Sequence, residues 1–126
     1  MRLNTIKKRS DFLAANGGRK FVVGTFILQM KPRPPAHPAG EAPRFGFTVT
    51  KKMGNAVVRN RIKRRLRAAV AQIAVAQAQP GHDYVLISRH KTHDCPFAEL
   101  LRDIEFAFSR IPSMKEDSQK PRIAKK

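Results

Sequence analysis

The pattern of apolar and polar positions predicts that the chain begins with a short helix and then a strand. Ser10 is the predicted N-cap of a helix through Phe12, and Gly17 marks its end. Residues 21–30, FVVGTFILQM, are rich in β-branched and aromatic side chains and predict a strand. Gly24 interrupts this run, so we expect a break or a bulge there.

A proline-rich loop and an alternating strand follow. Residues 31–43 carry five of the nine prolines and predict an extended surface loop, because neither a helix nor a sheet ladder tolerates that density. Residues 44–50, RFGFTVT, alternate with the period of a strand. One face carries Phe45, Phe47 and Val49, and the other carries Gly46, Thr48 and Thr50. We expect the apolar face to pack under helices and the small, polar face to stay open.

The second half of the chain predicts a long helix, a strand and a second amphipathic helix. Asn55 is the predicted N-cap of a helix running to about Ala78. Its apolar residues share one arc of the helix: Val58, Ile62, Leu66, Ala69, Val70 and Ile73. Residues 84–89, YVLISR, predict a strand, and residues 97–111 predict a helix with one apolar side.

This order of elements, α-β-β-β-α-β-α, predicts an α+β fold in which helices cover one side of a small sheet. We expect an α-β sandwich with about four strands and three helices. The length of 126 residues fits one domain, predicted over residues 1–112. The polar, basic residues 113–126 predict a disordered tail.

Charge changes this picture more than any other property. The chain has 26 Lys and Arg against 9 Asp and Glu, a net charge of +17 that favours a polyanionic partner, nucleic acid before membrane. Eight basic residues and no acidic ones fall within residues 51–67. An ordinary solvated helix face mixes both signs, because like charges at neighbouring positions weaken a helix. The run therefore predicts a nucleic-acid contact, with Arg able to bind phosphate in a bidentate way and Lys acting as a point charge.

The cysteine content and the lack of long apolar segments indicate the cellular compartment. Cys95 is the only cysteine, which excludes an internal disulfide and predicts a reducing environment. The N-terminal residues lack the apolar run of a signal peptide, and no stretch approaches the length of a membrane span. We expect a cytoplasmic protein with no membrane contact.

Three other kinds of site can be compared with the residues present. His90, His93 and Cys95 have a spacing that could suggest a metal site, but a structural zinc needs four ligands and no second pair exists. The few acidic residues show none of the clustering that two-metal phosphodiester cleavage requires, so no protein catalytic site is predicted. Phenylalanine rings can stack on unpaired bases, but we expect most of them to lie in the core. For Phe12 both roles, core residue and base-stacking residue, are kept as hypotheses.

The central segment KKMGNAVVRNRIKRRLR closely resembles the signature of the bacterial ribonuclease P protein subunit. In that signature an R-N-x-x-K-R-x-x-R run follows a K-x-G-N-A-V segment, and the run is present here in register: Arg59, Asn60, Lys63, Arg64 and Arg67. The segments RLNTIKKRSDF, RFGFTVTKK and DYVLISR also resemble the family. The resemblance spans about residues 2–111.

The resemblance implies a protein that joins a catalytic RNA subunit and assists Mg²⁺-dependent removal of the 5′ leader from precursor transfer RNA. The family's catalytic centre and its Mg²⁺ ions reside in the RNA, so no catalytic residue and no tightly bound metal are expected in the protein. The isolated protein is expected to be an inert monomer. The family fold also implies a left-handed βαβ crossover, whereas general topology rules favour a right-handed one.

Candidate site residues follow from the resemblance and from the charge run. The RNA-binding set comprises Lys51, Lys52, Asn55, Arg59, Asn60, Arg61, Lys63, Arg64, Arg65 and Arg67. The set expected to form a cleft for the single-stranded leader comprises Phe12, Asn16, Gln29, Thr48, Thr50, Lys52 and Arg59. Asn16 stands where the family commonly has an aromatic or aliphatic residue, and Gln29 stands where some members have Tyr. The main alternative is a ribosomal or other structural RNA-binding protein without processing activity.

Overall fold

The computed structural model describes residues 4–34, 37–38 and 40–113. Four helices and four strands form its regular structure. In chain order these are α1 (Arg9–Ala14), β1 (Arg19–Val22), β2 (Phe26–Pro32), β3 (Arg44–Thr48), α2 (Ala56–Ala69), β4 (His82–Ser88), α3 (His90–Asp94) and α4 (Phe97–Arg110). The predicted α+β class and four-stranded sheet are confirmed, and the short helix α3 was not predicted.

The strands form one mixed sheet in the order β1-β2-β4-β3. β2 pairs antiparallel with both β1 and β4, whereas β3 and β4 are parallel neighbours. Because α2 connects these two parallel strands, β3-α2-β4 is the expected βαβ unit. The left-handedness of this crossover remains a prediction that follows from the family resemblance.

The main core lies between one face of the sheet and the helices α2 and α4. Alternate strand residues such as Leu28 and Leu86 meet Ile62 of α2 and Ile104 of α4, all fully buried. The main core includes an aromatic cluster, in which the ring centroids of Tyr84 and Phe108 are 4.9 Å apart. Burial raises the pKa of the Tyr84 hydroxyl, although the backbone N–H of Gln79 donates a 2.8 Å hydrogen bond to its oxygen.

The opposite face of the sheet carries a smaller apolar group, in which Ile6, Ala15 and Val85 are buried and Phe12 packs against them. The segment leading into α1 is fixed to the edge strand β3, because Ile6 N–H donates to the Phe45 carbonyl at 3.0 Å. This second layer places α1 on the face that the alternation of residues 44–50 predicted to be open.

The predicted break at Gly24 is confirmed, and it divides residues 21–30 between β1 and β2. Asp103 holds the turn between them, because its carboxylate accepts a 2.7 Å hydrogen bond from the Thr25 hydroxyl. Two other local predictions were wrong in detail. The N-cap of α1 is Lys8, with no side-chain capping bond, and not Ser10. The proline-rich loop was predicted to begin at Lys31, which is two residues too early, because Lys31 and Pro32 still pair with β4.

The long basic helix is confirmed at its start and interrupted near its end. Asn55 is the N-cap, and its side-chain oxygen accepts a 3.0 Å hydrogen bond from Val58 N–H. After Ala69 the chain passes through a π-helical turn, Val70–Ala74, before a last α-helical turn to Gln77. The π-turn keeps Val70 and Ala74 both buried against the core. No helix in the described ranges is both long and apolar enough to cross a membrane.

Candidate nucleic-acid interface

A cleft of about 530 Å³ opens beside α1 on the face of the sheet opposite the main core. We call it the α1 cleft. Phe12 and Leu13 of α1 line it, together with Lys63 of α2. The floor comes from strand residues that point away from the main core: Gln29, Thr48, Val85 and Ile87. Lys7 and Arg9 also line it, so three cations border an otherwise apolar and weakly polar groove.

Phe12 occupies its place in the α1 cleft because residue 46 is a glycine. A Cβ atom at position 46 would lie 2.5 Å from Cε1 of the Phe12 ring, which is closer than non-bonded carbon atoms approach one another. The ring therefore lies against the backbone of β3 and is half-buried. It packs on the smaller apolar group and also lines the cleft, so it belongs to both.

The basic residues of α2 fall on two sides of the helix. Residues three and four positions apart share a side, which separates two rows. The outer row comprises Asn60, Lys63, Arg64 and Arg67, all exposed. The inner row comprises Arg61 and Arg65, which face α3. The outer row borders the α1 cleft through Lys63, and the Arg67 guanidinium stands 5.7 Å from the ring centroid of Phe47.

Arg65 of the inner row is engaged within the protein. Its Nε donates to the Thr92 carbonyl at 3.1 Å, and its Nη2 donates to the Cys95 carbonyl. The guanidinium also lies 5.8 Å from the centroid of the Phe97 ring. These contacts hold the end of α3 and the start of α4 against α2. Arg61 remains exposed, with Nη1 3.4 Å from Nε2 of His93.

The remaining predicted residues cluster at the start of α2. Lys51 and Lys52 are exposed on a 3-10 turn that follows β3, and Thr50 precedes that turn. Gly54 ends the turn with φ of +140°, a conformation that side chains rarely adopt. These residues do not line the α1 cleft.

Asn55 and Arg59 are committed to local contacts. Asn55 caps the helix, as described above, and the Arg59 Nε donates to the Gly54 carbonyl at 3.2 Å. Neither residue lines the α1 cleft. Asn55 thus shapes the interface by fixing where α2 begins.

Of the seven residues predicted for the leader cleft, the structure brings together Phe12, Gln29 and Thr48. Asn16 lies in the 3-10 turn Ala15–Gly17 that follows α1. Sequence reasoning missed Lys7 and Leu13, which border the α1 cleft, and assigned Lys63 only to the helix surface. The basic segment before Phe12 was the one available signal for Lys7.

An ionic network connects α1 to the strands β3 and β4. Asp83, at the start of β4, accepts hydrogen bonds from Arg44 at 2.8 and 2.9 Å and from Arg33 at 2.6 Å. Arg44 also reaches Asp11 of α1 at 3.3 Å. Burial disfavours the charged form of Asp83, but the hydrogen bonds from Arg44 and Arg33 outweigh it and hold the pKa of its carboxyl below the usual range.

The side chains present do not fit a metal site at the α1 cleft. No Asp or Glu is among the residues that line it, and Mg²⁺ takes oxygen ligands, carboxylates among them. Elsewhere in the described ranges, no three His, Cys, Asp or Glu side chains come together in a way that could hold a metal ion. Of the His90, His93 and Cys95 group, Cys95 is buried and His93 faces Arg61 and Asp94.

Comparison with known proteins supplies the context for this interface. The sequence family described as Ribonuclease P matches residues 1–112. The chain is 44% identical over 116 residues to the ribonuclease P protein component of Paramagnetospirillum magneticum, covering 91% of this chain and 87% of the relative. It is 41% identical to that of Erythrobacter litoralis, covering 93% of each. The RNase P protein of Thermotoga maritima shares the fold with a TM-score of 0.71 at 23% identity, covering 86% of this chain and 97% of that one.

Proposed function

The chain belongs to the ribonuclease P protein family, and on that premise we propose how its two surfaces serve a ribonucleoprotein that removes 5′ leaders from precursor transfer RNA. The α1 cleft binds the single-stranded leader, and the outer row of α2 binds the catalytic RNA subunit. The single observation that carries this division is the cleft itself. It combines an aromatic ring, a floor of apolar and uncharged polar side chains, and cations, with no carboxylate.

The α1 cleft has the chemistry of a single-strand site. Proteins bind unpaired nucleic acid by stacking bases on aromatic rings while cations follow the phosphates. Phe12 and Leu13 offer the apolar surface, and Thr48 offers a hydroxyl on the floor. Lys7 and Lys63 also line the cleft, where they can neutralise phosphates of the leader. Lys63 belongs to the outer row as well, so it stands where the two surfaces meet.

The outer row has the chemistry of a phosphate-binding surface. Asn60, Lys63 and Arg64 are exposed, and within the described ranges no acidic side chain pairs with them. Lys51 and Lys52 extend the same positive surface beyond the helix start. We assign Arg65 to holding α3 and α4, and Arg61 to the edge of the RNA contact.

The chemical step is proposed to belong to the RNA. Hydrolysis of a phosphodiester by two bound metal ions needs clustered oxygen ligands, and the residues that line the cleft supply no carboxylate. Mg²⁺ bound by the catalytic RNA would activate the attacking water. The protein contributes by binding the leader and by neutralising phosphates. We propose that the isolated protein is an inert, cytoplasmic monomer.

Reconstitution tests this proposal. The protein is mixed with a transcribed ribonuclease P RNA and a precursor transfer RNA at low Mg²⁺, and the 5′ ends of the products are mapped. We expect mature 5′ ends with both components and no cleavage with protein alone. Correct cleavage by RNA-free protein would place the catalytic centre in the protein. Absence of any stimulation of the RNA would favour the alternative of a structural RNA-binding protein.

A further inference from the structure

The helix that carries Phe12 has little holding it in place. α1 is only six residues long, none of its residues is buried, and no side chain caps its N-terminus. Isolated helices of this length are unstable in water, so a short helix depends on contacts with the rest of the protein. The contacts of α1 therefore decide where the wall of the α1 cleft stands.

Asp11 makes a polar contact that connects α1 to the sheet. Its carboxylate accepts a 3.3 Å hydrogen bond from Nη2 of Arg44, and its side chain is only 21% exposed. His37 of the proline-rich loop lies on the same side, with Nε2 3.9 Å from Asp11 Oδ1. Asp11 also lies in the first turn of α1, where a negative charge is favourable.

Arg44 is a rigid support for this contact. Its Nε and Nη2 form a two-point contact with Asp83, whose side chain is 8% exposed. Asp83 is held in turn by the buried Arg33, which also donates to the carbonyls of His82 and Gly40. A guanidinium fixed at two points offers its remaining donor in a defined direction. Asp11 thus receives a hydrogen bond from a group that cannot easily move.

We propose that Asp11 is a positioning residue for the leader site: through Arg44 it fixes α1 on the sheet and so holds Phe12 over Gly46. The proposal rests on the assignment of the α1 cleft to the leader. It adds a residue that lines no part of the cleft and touches no RNA in that assignment. It also connects the proline-rich loop to the cleft, because Arg33 and His37 belong to that loop.

The sign of the expected effect separates positioning from simple electrostatics. Replacing Asp11 by alanine raises the net charge by one, and added positive charge strengthens nonspecific binding to RNA. Positioning predicts the opposite for the leader, namely weaker binding. Alanine is also the best helix former, so the substitution does not weaken α1 through propensity. Asp94→Ala is the matched control, since it makes the same charge change at a 77% exposed carboxylate next to His93.

The first measurement is the leader advantage, defined as the ratio of holoenzyme affinities for precursor transfer RNA with a leader of several nucleotides and for mature transfer RNA. We expect Asp11→Ala to remove at least half of the advantage that Phe12→Ala removes, on a logarithmic scale. Asp94→Ala should leave it unchanged, and Asp11→Glu should restore most of it. In the double variant Asp11→Ala with Phe12→Ala, no further loss is expected, because Asp11 acts through Phe12. Additive losses, or a loss equal for both substrates, would overturn the proposal.

A second measurement needs no RNA. The chain has no tryptophan, so Phe12→Trp creates a single fluorescent reporter in the α1 cleft. Asp11→Ala in that background should shift its emission to longer wavelength, and Asp94→Ala should not. An unchanged emission would overturn the positioning role. A shifted emission combined with no leader effect of Phe12→Ala would support the positioning role and overturn the assignment of the cleft to the leader.

Discussion

Arg64 and Arg65 are neighbours in the sequence, yet they do different things in the structure. Arg64 is exposed on the outer row, whereas Arg65 is half-buried and donates hydrogen bonds to the carbonyls of Thr92 and Cys95. Arg33 and Arg44 resemble Arg65, since both are engaged by Asp83. The basic residues behind the high net charge therefore form two populations. Some arginines hold the fold together, and other cations remain available for RNA.

The largest effect that separates the two populations is on stability. Arg65→Ala should lower the free energy of unfolding by about 1–3 kcal/mol, because it leaves two carbonyls of the α3–α4 junction without their donors. Arg64→Ala should leave stability within about 0.5 kcal/mol of the parent, as an exposed substitution does. Denaturant unfolding of both variants measures the difference. Equal stabilities would show that the inner row does not hold the fold.

The second effect is on RNA affinity and its salt dependence. Arg64→Ala should weaken binding to the catalytic RNA, and it should reduce the slope of log affinity against log salt by about 0.7–0.9, the value of one phosphate contact. Arg67→Ala is expected to act in the same direction. Filter binding or fluorescence titration over a range of salt concentrations gives both quantities. A slope that does not change in either variant would remove the outer row from the RNA contact.

Lowering the pH should weaken the internal ion pairs, in which Asp83 binds Arg33 and Arg44, and should not change the charge of the exposed arginines. Because the pKa of Asp83 is lowered in the folded protein, its ion pairs contribute stability that is fully present above the ordinary aspartate pKa of about 3.9. That contribution is lost as the pH falls through the lower pKa of the folded state. The free energy of unfolding, measured from about pH 6 downward, should show this loss as an acid limb, the range in which stability falls with pH. Asp83→Asn should be less stable at pH 6 and should lose less stability as the pH falls. An acid limb as steep in Asp83→Asn as in the parent would contradict the assignment.

The smallest effect is expected from a third set of cations, which lies outside the described residues. Residues 114–126 contain Lys115, Lys120, Arg122, Lys125 and Lys126. Their polar composition predicts that removing this segment leaves the melting temperature unchanged and lowers RNA affinity modestly. Thermal unfolding and RNA titration of the truncated chain check both points. A cooperative loss of stability would show that the segment packs on the domain.

Periodic patterns predicted the parts of the fold in which the information is local. The alternation of residues 44–50 correctly put Phe45 in the main core and Gly46 on the opposite face, and Asn55 caps α2 as its position indicated. The π-helical turn after Ala69 has no comparable local signal, because the apolar positions continue through it. The prediction of one unbroken helix therefore followed from the pattern and was incomplete.

The roles of charged residues were harder to predict because their partners are distant in the sequence. The carbonyls that Arg65 reaches lie 27 and 30 residues further along the chain. Asp103 of α4 accepts a hydrogen bond from Thr25, which lies 78 residues earlier in the chain. Likewise, Lys7 and Val85 meet in the α1 cleft only once α1 lies on the sheet. The motif indicated which elements carry the site, and the fold decided which side chains line it.

The α1 cleft and the outer row are proposed to bind different RNA segments. Holoenzyme affinities of Phe12→Ala and Arg64→Ala for precursor and mature transfer RNA, measured together with the stability of each variant, test this claim. Phe12→Ala should weaken binding of the precursor by about 1–3 kcal/mol, the value of one base stack, and hardly change binding of mature transfer RNA. Arg64→Ala should weaken holoenzyme assembly equally for both. Equal losses for both substrates in Phe12→Ala, together with a lower melting temperature, would contradict the claim and leave Phe12 as a core residue.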